Sequence, residues 1–144
     1  MSPVPRADFY LISKERFRAD PLLLVCELAR KATDAGQHAL VLARDAAQAE
    51  ALDDLLWSFD PDAYIPHQIA GADEDEDEAA VLIAAPDTDA PSRPLLINLR
   101  DAAPSGSFER VLEVVAADPA ARDGSRERWK HYQALGFDVK KHDM

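Results

Sequence analysis

The sequence predicts an α/β fold: a single-domain three-layer sandwich with helices flanking a mostly parallel sheet. Two observations carry this. The first is a strand–helix–strand–helix opening, with a short apolar run at Asp8–Ile12, a helical stripe from Leu22 to Ala32, a second run at Ala39–Ala43 and a further stripe ending at Leu56. The second is size. A chain of 144 residues, 47% of them hydrophobic, buries enough surface for one core without staples.

Each element follows from local chemistry. Asp8-Phe-Tyr-Leu-Ile12 is apolar and aromatic, which favours a strand. Asp20 and Pro21 form a helix start, with a capping residue type followed by proline at the first helical position. The stripe Leu22, Leu23, Val25, Cys26, Leu28, Ala29 and Ala32 then runs to a stop at Gly36. After the strand at Ala39–Ala43, Asp45 caps a helix whose apolar positions Ala49, Leu52, Leu55 and Leu56 lead to Trp57. Tyr64–Ile69 reads as a short strand, and Pro66 places it at a sheet edge or an irregular end. Val81–Ala85, Leu95–Leu99 and Val111–Val115 are three more strands. Residues 125–135 form the last helix, capped by Asp123 or Ser125 and closed by Gly136, with a final short strand at Phe137–Val139. Domain 1–144 is thus one unit, interrupted by an exposed acidic loop at about 72–79.

Charge and composition exclude several functions. The formal net charge of −11 repels phosphate backbones, so contact with nucleic acid is expected only indirectly. No apolar stretch is long enough for a membrane span, the amino terminus lacks a signal-peptide pattern, and Cys26 is a lone cysteine. These features point to the cytoplasm.

Motifs for chemistry are missing. The turn from Ser13 to Asp20, where a dinucleotide fold needs glycine, contains none, and there is no phosphate-binding loop elsewhere. The fold is expected to resemble nucleotide-binding domains without binding a nucleotide, and no cofactor or catalytic residue is assigned. A degenerate nucleotide-binding enzyme on the same frame is the alternative. Cys26 lies inside a helical stripe and reads as core. The four histidines have no metal-ligand spacing, and His67 after Pro66 reads as structural. The carboxylates at 73–78 lack the glycine hinge and alternating ligands of a calcium loop, and read as solvated chain.

One segment runs against the overall charge. Arg122, Arg126 and Lys130 recur at four-residue steps, with Trp129 three beyond Arg126, so a helix places them on one face. Arginines beside an indole make a receptor for a group both anionic and apolar: the guanidinium fork fits a carboxylate and the ring offers a flat wall. An ordinary solvated helix face with Trp129 in the core explains the pattern equally well.

The ordered set Asp8–Ile12, Leu24-Val-Cys-Glu-Leu-Ala29, Leu52-Asp-Asp-Leu-Leu-Trp57, Ile65-Pro-His67 with Ala70-Gly71, Leu95-Leu-Ile-Asn-Leu-Arg100, Glu113-Val-Val115 and Arg126-Glu-Arg-Trp-Lys-His-Tyr132 with Gly136-Phe137 resembles the chi subunit of bacterial DNA polymerase III. The resemblance spans about residues 8–139. It implies a non-catalytic replisome adaptor on an α/β fold. Such proteins join the clamp loader, through the small psi subunit, to the acidic C-terminal tail of single-stranded-DNA-binding protein, which ends in proline and phenylalanine with a free carboxylate. On this resemblance Arg126 takes the terminal carboxylate and Arg122 and Lys130 attract the upstream acids. Trp129 lines the phenylalanine pocket, joined by Trp57 if the two helices adjoin. The psi-facing surface is assigned to Phe59, Tyr64, Ile65, Pro66 and His67. Direct binding of naked single-stranded DNA by the basic helix is the remaining reading, which the net charge disfavours.

Overall fold

The computed structural model describes residues 4–71, 78–106 and 108–144. Of the acidic run only Glu78 falls among them, and it is exposed; the rest of that expected loop lies outside the described residues. The chain forms β1 (Arg6–Leu11), α1 (Glu15–Ala19), α2 (Pro21–Asp34), β2 (Ala39–Leu42), α3 (Ala46–Ser58), β3 (His67–Ile69), β4 (Val81–Ala84), β5 (Leu95–Asn98), β6 (Arg110–Val115), α4 (Pro119–Ala134) and β7 (Asp138–Asp143). These strands make one seven-stranded sheet in the order β3-β4-β2-β5-β6-β1-β7. Every pairing in it is parallel, so the expected mostly parallel sheet is wholly so.

Side chains alternate across the strands and divide the core in two. One face packs Ile12, Val41, Ile83, Ile97 and Leu112 under α2 and α3, through Leu24, Leu28, Leu52 and Leu56. The other packs Phe9, Leu40, Leu82, Leu96 and Val111 under Tyr132 of α4 and under Ala90, Ala103 and Phe108 of the connecting segments. These are the three layers. Cys26 is fully buried in the first core, and burial pushes its thiol up to about 12.

Helix ends follow the punctuation read from the sequence, with one exception. Asp45 accepts a hydrogen bond from the Gln48 amide, 2.7 Å, and caps α3. Gly36 and Gly136, at φ +74° and +84°, take the left-handed conformation that lets the next amide turn back onto the helix, Gln37 to Ala32 and Phe137 to Tyr132. The exception is the start of α4. It begins at Pro119, capped by Asp118 through the Ala120 amide at 2.7 Å, rather than near residue 125 as expected from Asp123 or Ser125. An aspartate–proline pair starts both α2 and α4. Ser125 is instead buried and donates to the Arg122 carbonyl, 2.7 Å.

Two arginines close the ends of the sheet. Arg93, buried, donates to the carbonyls of Ala39 and Ala79 at one end, and Arg100 donates to those of Ala43 and Ala84 at the other. They add side-chain donors to carbonyls at the ends of β2 and β4. The glycine-free turn after β1 is occupied by α1, whose Phe17 is buried against the core.

Candidate functional site

A groove of about 520 Å3 lies between α4 and the β1–β7 end of the sheet, lined by Phe9 and Leu11 below, Arg122, Arg126, Trp129 and Lys130 along α4, and Lys141 on the far rim. Four of the five residues expected from the sequence to form one receptor are brought together. The reason is helical periodicity: positions 122, 126, 129 and 130 share one side of α4. The opposite side, Arg128 and Tyr132, is buried.

That buried side holds the helix in place. Glu113 of β6 is fully buried and accepts from Arg128 Nε at 3.0 Å, Tyr132 Oη at 2.6 Å and Asn98 Nδ2 at 2.9 Å. Arg128 also donates to the Asp101 carbonyl, 3.1 Å. Burial raises the Glu113 carboxyl above the ordinary range, with the Arg128 charge and these hydrogen bonds opposing it. Burial and the adjacent Glu113 carboxylate also raise the Tyr132 hydroxyl. A buried charge needs such a set of partners, and the set registers α4 on the sheet.

The groove-side groups are more open. Trp129 is half-buried, its ring 5.0 Å from that of Phe9, so the indole is both anchored and accessible. Arg122 donates to the Ile12 carbonyl at 3.2 Å, which stations its guanidinium at the end of β1. Arg126 and Lys130 are largely exposed and reach their helix neighbours Asp123 and Glu127 at 3.2 and 4.0 Å. Exposed pairs of this kind exchange partners at small cost. Lys141 makes no ion pair among the described residues. Helix α4 begins at Pro119, so its free first-turn amides lie about two turns before Arg126.

Trp57 is not part of this groove. It lies on α3, which packs on the opposite face of the sheet beside β3, whereas α4 packs toward β6 and β7. There the indole is 64% exposed and rests on the His67 ring at 4.6 Å. Tyr64, 76% exposed, is close by in sequence, and Phe59 and Pro66 are half-buried. Ile65 is buried and the His67 side chain is 1% exposed, so neither offers a surface. His67 is structural: Nδ1 lies 2.6 Å from the Ile65 carbonyl and Nε2 3.1 Å from that of Asp53.

Sequence reasoning missed Phe9, Leu11, Ser125, Gln133 and Lys141. Phe9 and Leu11 were legible only as strand residues. Lys141 has a signal, two adjacent lysines after the last helix, but nothing local places that segment beside α4.

A second hollow of about 550 Å3 opens where β2, β5 and β6 end, the usual ligand position in a parallel sheet. Asp20, Asp45 and Asp101 line it with Arg44 and Arg100. The carboxylates offset the cations there, so no anion-selective field results. Among the described residues no group of three or more His, Cys, Asp and Glu is arranged to hold a metal, and no helix is long and apolar enough to cross a membrane.

A solved structure of T4 UvsW superposes with a TM-score of 0.66 at 10% identity, over 96% of this chain and 41% of that one, which is a likeness of fold alone. Sequence relatives are closer. DNA polymerase III subunit chi of Pseudomonas aeruginosa is 37% identical over 96% of both chains. The subunit of the same name from Escherichia coli is 32% identical over 92% of this chain and 94% of its own. That from Haemophilus influenzae is 28% identical over 92% and 93%. The family model described as DNA polymerase III chi subunit, HolC, matches residues 4–140. The chain therefore belongs to the DNA polymerase III chi subunit family.

Proposed function

We propose that this chain is a non-catalytic adaptor of the replication machinery. The α4 groove receives the acidic C-terminal tail of single-stranded-DNA-binding protein, and the Trp57–Tyr64 surface meets the psi subunit of the clamp loader. The observation that supports the groove most directly is its composition: a half-buried indole flanked by Arg122, Arg126, Lys130 and Lys141 on a chain whose net charge is −11. A peptide carrying acids and ending in an aromatic residue with a free carboxylate matches each part. The ring lies against Trp129 and Leu11, Arg126 takes the terminal carboxylate, and the other cations face the upstream acids. The Trp57–Tyr64 surface suits a different kind of partner: its aromatic area is bordered by the carboxylates of Asp54, Asp60 and Asp62 rather than by a cluster of cations. Holding both partners at once raises the local concentration of polymerase machinery at coated template.

Calorimetric titration with an acidic peptide ending in Pro-Phe tests the groove. Binding in the micromolar range, about −8 kcal/mol, is expected, weakened by salt and lost with an amidated peptide or Arg126→Ala. Binding that survives both changes would move the tail site elsewhere. No binding by the intact protein sinks the reading.

A further inference from the structure

Strand β7 ends the sheet, and its outer edge faces no other strand among the described residues. It carries six residues, Asp138-Val-Lys-Lys-His-Asp143, long for an edge left open. Backbone direction alternates along a strand. The Asp138 amide donates to the Pro5 carbonyl and the Met144 amide to the Leu11 carbonyl, so residues of that parity face β1. The N–H and C=O groups of Val139, Lys141 and Asp143 therefore point outward. Side chains alternate too. Lys141 pairs in register with Phe9 and projects on the same side, into the α4 groove, where it has no ion-pair partner among the described residues. One residue thus presents a free cation to the groove and a free backbone edge beyond it.

We infer that the upstream acidic segment of the groove's peptide adds to β7 as an eighth strand, hydrogen-bonding to Val139, Lys141 and Asp143; this rests on the groove reading. Charge complementarity selects the occupant. Asp143 stands on the same face as Lys141, but Arg122, Arg126 and Lys130 across the groove make the cations outnumber it, so an extended acidic segment gains there an attraction that other strands lack. The groove holds the aromatic end and the edge holds the backbone, as in strand-addition peptide sites.

Amide hydrogen exchange read by NMR, on the whole protein with and without saturating acidic Pro-Phe peptide, tests this. Exchange at Val139, Lys141 and Asp143 should slow by about tenfold or more. N-methylation of alternate upstream residues of the peptide, which leaves charge and carboxylate intact, should weaken binding by about tenfold. Tight binding with unchanged exchange at these amides overturns the eighth strand and leaves the groove standing. No binding overturns both. Protection that rises with protein concentration in the absence of peptide assigns the edge to a second copy and overturns the proposal as well.

Discussion

The two tryptophans occupy opposite ends of the sheet and opposite faces. Trp57 follows Leu56, a core position of α3, so one residue of helical rotation carries it outward to 64% exposure. Trp129 precedes the buried Tyr132 by three residues and stays close to the core, packed on Phe9 with cations around it. An indole standing clear of the surface suits a partner that covers aromatic area. An indole at the bottom of a cationic groove suits an anionic, apolar peptide end. Helical phase and the surrounding charge thus give the same side chain two different settings.

The largest effect should come from beneath the groove. Arg128→Ala leaves Glu113 buried without its cation and is expected to cost about 3–5 kcal/mol in urea unfolding. Arg126→Ala, two residues earlier and exposed, should stay within about 0.5 kcal/mol of the parent. Equal costs would mean that α4 is not registered by its buried side.

Next comes the separation of the two ends. Trp129→Ala should weaken the acidic peptide by about thirtyfold, the loss of a hot-spot anchor, while Trp57→Ala leaves that affinity within about twofold, both by calorimetry. A matching loss from Trp57→Ala would contradict their placement on opposite faces. Salt sharpens the contrast. Raising ionic strength from about 0.05 to 0.3 M should weaken the peptide several-fold, and Trp57→Ala should leave that salt dependence unchanged.

The smallest effect is acid sensitivity of the β7 end. Asp8 is fully buried and bonded to Arg110 at 2.7 Å and His142 of β7 at 2.9 Å. Burial alone would raise its carboxyl, but the hydrogen bonds from His142 and Arg110 outweigh burial and hold it below the usual range. A depressed folded value stabilises the protein above the ordinary aspartate pKa of about 3.9, and that contribution is lost as pH falls through the folded value. Exchange of β7 amides should accelerate in acid before that of β4, and Asp8→Asn should flatten this limb of the stability curve.

Much of the frame was legible because local chemistry and burial agree there. The Leu22–Ala32 stripe became α2, Asp45 capped α3, and the apolar runs at 39, 81, 95 and 111 became inner strands. Three elements were missed in whole or in part. Helix α1 is five residues long and is held by one buried side chain, Phe17, too short for periodicity to register. The start of α4 was misplaced because Asp118–Pro119 precedes a run of small and polar residues without an apolar stripe. Strand β7 was legible only as a short strand at Phe137–Val139; it runs on to Asp143, polar and exposed along most of its length, because β1 offers it a ladder.

By itself the sequence determined the α/β class, the absence of a glycine turn after β1, and the alignment of Arg122, Arg126, Trp129 and Lys130 on one helix face. Periodicity, capping and composition act within a few residues, and a linear reading captures them. Only the tertiary structure decided that Trp57 stands apart, that Glu113 holds Arg128 and Tyr132 away from the groove, and that Lys141 completes its rim. Those outcomes depend on which face of the sheet each helix crosses and which strands come to lie side by side. Contacts between residues far apart in the chain set both.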